Sequence, residues 1–233
     1  MSECSYLGIV ALVLLGIVSF SSISSAQYWF QSGAVGNLSS AHNYGAAVTI
    51  ETVNQPQGIN GSFGFWVGES LSNGAFIQAG YEIPNESGYF PSACTPLGCT
   101  GNSLLEAGSP VWFWEYFPKD YNGASFYGAI GADGSAGPLG TFNNYSFTSI
   151  GNSWYVKFNN KTIGNVSLGA SQSGFNEPIG VAEFADAYTN NVIMNTVEFK
   201  NLEFYNGTGF HLVPAGYSYV EYGKNSETAL PNL

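Results

Sequence analysis

Short apolar segments bounded by glycine, proline and asparagine run along this chain, and none shows the 3.6-residue period of an amphipathic helix. Ten or more short strands in one domain predict two packed antiparallel sheets, an all-β sandwich of the jelly-roll or concanavalin-like kind. The predicted strands are residues 28–30, 46–53, 65–67, 75–83, 111–117, 125–132, 141–148, 154–158, 162–168, 178–188 and 197–205, with one or two more in 211–222.

The connections between these strands have their own signals. Ser72-Asn73-Gly74 predicts a turn, and Asn159-Asn160 before Lys161 predicts a tight hairpin. We expect a polar loop over residues 34–44. Residues 84–108 read as a long irregular excursion, with Pro84, Pro91 and Pro96 keeping it out of a sheet interior.

The first 26 residues predict a segment separate from the fold, leaving residues 27–233 as a single domain. Leu7 to Phe20 is an apolar run, and Ser24 and Ala26 are small residues placed as at a signal-peptide cleavage site. Glu3, with no Lys or Arg before the run, is unusual for a signal peptide, so an uncleaved N-terminal anchor stays open as the alternative. In both cases we expect export, to the extracellular medium or to the cell surface, with membrane contact only through that anchor.

Charge excludes one class of partner. The chain has sixteen acids, five lysines and no arginine, for a formal net charge of −11. Nucleic-acid binding relies on Lys and Arg, so we expect no nucleic-acid partner. Few basic residues also suit an acidic environment, because protonating the acids leaves little net positive charge to drive repulsion. A low-charge secreted glycoprotein has the same composition.

Two kinds of covalent modification are predicted. Cys94 and Cys99 close a short Pro/Gly loop, which in an exported protein favours a disulfide over a metal site. Seven N-x-S/T sequons are candidates for N-glycosylation: Asn37, Asn60, Asn85, Asn144, Asn160, Asn165 and Asn206.

Several common catalytic motifs are missing from the sequence. It has no G-x-S-x-G, no H-E-x-x-H, no P-loop and no dinucleotide fingerprint. His42 and His211 are isolated, and no aspartate stands in a D-T/S-G turn. We therefore expect neither a metal nor a cofactor.

Carboxylate and amide side chains on strands remain. Alternation places Gln78 on one sheet face with Phe76 and Gly80. Glu115 stands in an aromatic run, either at an exposed edge or in an apolar cleft. Glu183, between Ala182 and Phe184, is either a functional acid or a solvent-facing strand residue.

The order of four blocks resembles a known family. WVGESLSNGAFIQAGYEI, FWEYFP, VAEF and VEFKNLEF are similar to successive motifs of the glutamic peptidases, the eqolisin family. The resemblance implies a two-sheet sandwich, secretion, and endopeptidase activity at low pH on peptide or protein substrates without cofactor or metal. We expect a monomer.

The resemblance also implies site residues. Gln78 corresponds to the catalytic glutamine, Trp66 to the tryptophan of the W-V-G turn, and Glu115 to the acid of the aromatic strand. With Trp112 and Trp114 they would line the substrate cleft.

The catalytic glutamate does not align as simply. Laid on without gaps, the family position falls on Ala187. A shift makes Glu183 the acid, and a bulge would instead bring in Asp186. We prefer Glu183 because it keeps the side-chain length.

Two functions of another class stay open: a non-catalytic glycoprotein that binds polysaccharide or protein, and a structural envelope subunit. A carboxylate within about 3–4 Å of the Gln78 amide would favour catalysis.

Overall fold

The computed structural model describes residues 28–36, 43–56, 62–71, 74–84, 86–95, 97–118, 127–167, 179–187, 194–214, 216–224 and 227–230. Over these residues the chain forms strands β1 to β18 and no helix, so no helix there could span a membrane. The predicted N-terminal segment and Asn37, Asn60 and Asn85 lie outside the described residues.

The larger sheet has ten strands, each antiparallel to its neighbours, in the order β18-β17-β1-β14-β3-β4-β9-β10-β6-β7. Its strands are β1 (Tyr28–Gly36), β3 (Ser62–Ser70), β4 (Phe76–Ile83), β6 (Ala93–Thr95), β7 (Gly98–Thr100), β9 (Val111–Phe117), β10 (Tyr127–Ile130), β14 (Ile179–Ala187), β17 (Gly216–Lys224) and β18 (Glu227–Leu230).

The second sheet has six strands in the order β13-β12-β11-β2-β15-β16, and a separate pair joins β5 to β8. These strands are β2 (Gly45–Glu51), β5 (Gly88–Phe90), β8 (Ser103–Leu105), β11 (Phe142–Ile150), β12 (Ser153–Phe158), β13 (Lys161–Ser167), β15 (Phe199–Tyr205) and β16 (Phe210–Leu212).

A core of large side chains lies between the two sheets, which confirms the predicted all-β antiparallel sandwich. Alternate residues of the larger sheet, among them Phe65 and Tyr81, meet Tyr145, Phe147 and Trp154 of the smaller one. The Tyr81 and Tyr145 ring centroids are 6.2 Å apart. Aromatic side chains bury about 150–250 Å² each, so this layer supplies much of the hydrophobic free energy of folding.

The excursion at residues 84–108 differs from its prediction. It contains four three-residue strands, and β6 and β7 extend the larger sheet beyond β10. The Gly108 amide donates to the Pro84 carbonyl at 2.7 Å, which closes the base of the excursion. Phe90 and Leu105 pack in the apolar cluster on the second face of the larger sheet. The excursion therefore covers part of the face on which Gln78 lies.

Two other connections can be compared with their predictions. Asn159 and Asn160 have φ of 47° and 64° and form a two-residue turn in which Phe158 pairs with Lys161. This is the predicted hairpin, and asparagine tolerates the left-handed region better than most residues. Strand β1 continues to Gly36, so residues 34–36 of the predicted loop are strand instead.

A close approach of β3 and β4 depends on Gly80. A Cβ at this position would overlap the Phe65 carbonyl oxygen and lie 2.6 Å from the Trp66 Cα. These are backbone atoms, which cannot move without breaking the ladder between the strands. On β3, a Cβ at Gly64 would make only an ordinary contact with the Trp66 ring, at 3.6 Å.

We predict that Gly80→Ala lowers the free energy of unfolding by about 3 kcal/mol or more, since the added methyl forces a backbone shift. Gly64→Ala is the matched control and should cost about 1 kcal/mol or less. Urea unfolding followed by tryptophan fluorescence measures both changes. Equal losses in the two variants would contradict the close approach.

Candidate functional site

The register of β4 and β9 brings an amide and a carboxylate together. Gln78 lies directly opposite Glu115 in the antiparallel pair. The Gln78 Nε2 donates to the Glu115 Oε2 at 2.6 Å. Both residues are buried, with exposed fractions of 0% and 1%. Directly opposite residues share a face, which is why a contact between residues 37 positions apart follows from the pairing.

Aromatic side chains surround this pair on the same face. Trp66, Phe76, Phe113 and Phe117 are all buried there. Trp66 stands edge-to-face on Phe76, with ring centroids 5.8 Å apart. The Gln78 Oε1 is buried and accepts no hydrogen bond from the described part of the chain. A buried carbonyl oxygen without a donor costs free energy.

Trp66 reaches this region because Gly68 has no side chain. A Cβ on Gly68 would lie 2.6 Å from the Trp66 ring and from the Phe76 ring. Gly68 is the β3 residue opposite Gln78. The indole therefore packs over the strand position directly across from the amide, as a wall of the same apolar environment.

A second carboxyl lies on this face, at Glu82. It is four residues from Gln78 along β4, about 13 Å, and it is opposite Gly64 and Val111. It is 4% exposed, and no hydrogen bond or ion pair of its carboxyl occurs with the described residues. Burial raises the pKa of Glu82 to about 7. Glu82 is thus neutral in acid and becomes charged as the pH rises through about 7.

Glu82 should make the protein less stable as pH rises. Its folded pKa exceeds the unfolded value of 4.5, so the folded state holds the proton more tightly. The stabilisation from this tighter proton binding is fully present below the unfolded pKa of 4.5. As the pH rises from there through about 7, up to about 3 kcal/mol of the free energy of unfolding is lost. We predict that Glu82→Gln, which is neutral at every pH, removes this loss. Urea unfolding at about pH 4 and about pH 8 measures it.

The exposed Glu106→Gln variant is the control for general charge removal. It should keep the wild-type difference between the two pH values. If Glu82→Gln also keeps that difference, Glu82 is not the group that titrates.

The predicted cleft residues Trp112 and Trp114 need a correction. They alternate with Phe113 and Glu115 on β9 and therefore face the smaller sheet. Trp114 is buried against Gly164 of β13, where a Cβ would overlap its indole. Trp66 and Glu115 do lie on the face of Gln78. The alternation of VWFWEYF already separates the two groups.

Strand β14 carries the three residues considered for the catalytic acid, and here the structure describes only the backbone. Glu183 is opposite Gly64 of β3, whereas Gln78 is opposite Gly68. Across the sheet, Glu183 and Gln78 are therefore separated by two strand spacings, about 10 Å. Along the strands they are separated by four residues, about 13 Å. The neighbour of Glu183 on β1 is Gln31, which the sequence did not single out.

The other two positions on β14 lie farther from Gln78. Phe184 pairs with Phe30 of β1 and Ala187 pairs with Tyr28, so β14 has one extra residue between these two pairs. This bulge lies in the segment that contains Asp186. The predicted bulge thus exists, but it is more distant from Gln78 than Glu183 is. The carboxylate in contact with Gln78 is Glu115.

A second buried amide–carboxylate pair was missed from the sequence. The Asn43 Nδ2 donates to the Glu69 Oε1 at 2.6 Å, and both residues are fully buried. Asn43 precedes β2 of the smaller sheet, and Glu69 is the next-to-last residue of β3 in the larger one. The pair therefore joins the sheets. Its only sequence signal is an acid in an otherwise apolar strand end, which is too general to interpret.

The remaining predictions concern covalent and metal sites. Cys94 and Cys99 form the predicted disulfide, between the paired strands β6 and β7. Within the described ranges no three His, Cys, Asp or Glu side chains gather as a metal site would require. His211 is exposed on the edge strand β16.

No protein-family model matches this chain, and no curated protein does. Solved structures of low similarity exist. The laminarinase catalytic domain from Thermotoga maritima has a TM-score of 0.45 at 6% identity, covering 81% of this chain and 80% of its own.

Two other solved structures are of different functional classes. Scytalido-glutamic peptidase has a TM-score of 0.38 at 13% identity and covers 88% of this chain and 84% of its own. Sheep galectin-11 has a TM-score of 0.32 at 13% identity, covering 71% of this chain and 96% of its own. At such scores these similarities carry no argument about activity, and the function proposed next rests on this chain's own geometry.

Proposed function

We propose that this protein is an exported acid endopeptidase of the glutamic type, with Gln78 as the amide and Glu115 as the acid of its catalytic pair. The observation that supports this is the 2.6 Å contact between the Gln78 Nε2 and the Glu115 Oε2 on an aromatic sheet face. It meets the distance criterion derived from the sequence.

The proposed chemistry uses one carboxyl group twice. The Glu115 carboxylate takes a proton from a water molecule as the water oxygen bonds to the scissile carbonyl carbon. The Gln78 Nε2–H turns from Glu115 to the developing oxyanion, a contribution of about 3–4 kcal/mol for one donor. Glu115 then protonates the leaving nitrogen, the C–N bond breaks, and the carboxylate is restored.

Low pH suits this arrangement for three reasons. The Gln78 amide does not titrate, so the oxyanion donor is retained in acid. Glu82, with its pKa of about 7, is neutral there and adds no negative charge to the same face. The five lysines keep the positive charge of the acidified protein small.

Glu183, which a shift in the alignment to the family motif makes the acid, remains the competing proposal. In that case β3 would lie between Glu183 and the Gln78 amide. The amide partner would otherwise be Gln31, which lies opposite Glu183 on β1. Replacing each acid separately distinguishes the two assignments.

The test is the digestion of a peptide library and of casein across about pH 2–7, since the pair must work in acid. We expect Gln78→Ala to lower kcat/KM by about 10²–10³ and Glu115→Gln to abolish cleavage, while Glu183→Gln cleaves normally. Loss in Glu183→Gln with full activity in Glu115→Gln would reverse the assignment.

Glu69→Gln is the matched control. It replaces the carboxylate of the other buried amide–carboxylate pair, on the far face of β3. We expect its kcat/KM to stay within about twofold of wild type, provided its melting temperature shows a folded protein. A loss equal to that of Glu115→Gln would show that the assay follows stability.

A second function is favoured by one observation. Gln78 and Glu115 are almost fully buried, as a purely structural pair would be. The protein would then be a non-catalytic sandwich that binds polysaccharide or protein. In that case no cleavage occurs at any pH, Gln78→Ala lowers only the melting temperature, and affinity electrophoresis in soluble polysaccharides retards the wild-type protein.

A further inference from the structure

The four sequons that the structure describes occupy two kinds of position. Asn160 and Asn165 are exposed at the hairpin and on the edge strand β13, and Asn206 is exposed in the turn between β15 and the edge strand β16. Asn144 instead lies on β11, an interior strand of the six-stranded sheet. Three sequons therefore stand at sheet edges and one in a sheet interior.

The hydrogen bonds of the side-chain amides distinguish Asn144 from Asn206. The Asn144 Nδ2, the atom that would carry a glycan, faces the Val48 carbonyl and the Thr49 hydroxyl at 3.5 Å. Its sequon serine, Ser146, is only 3% exposed. In Asn206 the side-chain oxygen alone is engaged, by the Thr208 amide and hydroxyl and the Gly209 amide, which leaves Nδ2 directed away.

Strand β13 is the edge that most needs protection. It has seven residues, whereas the edges β7 and β16 have three and β18 has four. Long edge strands present unpaired backbone groups to other chains and promote aggregation. On β13, Gly164 and Val166 face the core. Because side chains alternate along a strand, Asn165 and Ser167 face outward, and both are exposed. Lys161 is the only charge on this strand.

We propose that N-linked glycans occupy Asn160, Asn165 and Asn206, but not Asn144, and that those on β13 shield its edge from pairing with a second chain. This inference needs the protein to be exported through a glycosylating pathway, and it does not depend on the peptidase proposal. An N-glycan is bulky and hydrophilic, so one beside the edge blocks the approach of another strand.

Site occupancy tests the first half. The full chain is secreted from an N-glycosylating host, treated with an amidase that converts each glycosylated Asn to Asp, and mapped by peptide mass spectrometry. We expect conversion at Asn160, Asn165 and Asn206 and none at Asn144. Ser146→Ala should therefore leave the glycoprotein mass unchanged apart from the substitution. A glycan on Asn144, or none on Asn165, overturns the proposal.

Aggregation tests the shielding. Thr162→Ala with Ser167→Ala removes both β13 sequons but keeps the asparagines, and Thr208→Ala removes the one beside the three-residue edge. Light scattering during mild heating should show at least about threefold faster aggregation of the double variant than of Thr208→Ala or wild type.

Wild-type protein stripped of glycans with the amidase gives a measurement without those alanine substitutions. It should aggregate faster than the glycosylated protein. Stripped and glycosylated protein aggregating equally fast would overturn the shielding role.

Discussion

The antiparallel register that joins β3, β4 and β9 is the constraint on which the site depends. It places Gly68, Gln78 and Glu115 in one row across three strands. Because side chains alternate with a period of two, a shift of one residue would move Gln78 into the core between the sheets and leave Ile77 on the other face. The apolar alternation of β4 opposes such a shift, since Ile77, Ala79 and Tyr81 all belong to that core. Packing of the sandwich therefore holds the amide against the carboxylate.

Two buried amide–carboxylate pairs use the same chemistry for different ends. Asn43 with Glu69 joins the two sheets, and its asparagine is further fixed by accepting from the Gly45 amide at 3.0 Å. Gln78 with Glu115 lies within one sheet, and the Gln78 Oε1 faces no donor among the described residues. The two pairs therefore differ in where they lie: the first fastens the sheets together, and the second stands on the aromatic face of the larger sheet.

Protonation reconciles Glu82 with its burial. Glu82 reaches the folded interior without a described partner, and burial raises its pKa to about 7. The neutral carboxyl costs far less to bury than the ion. A chain with no arginine and few lysines also avoids the charge repulsion that unfolds many proteins at low pH. Composition and site thus favour the same environment.

The sequence by itself determined the all-β class, most strand positions, the Asn159-Asn160 hairpin and the disulfide. These depend on local rules: alternation, turn conformations and the short spacing of two cysteines. It also determined which face of β4 bears Gln78. Alternation likewise places Trp112 and Trp114 on the face opposite Glu115. Only the tertiary structure decided that Glu115 contacts Gln78 and that Glu183 lies beside Gln31. Register between strands distant in sequence is set by packing of the whole sandwich, and no single strand encodes it.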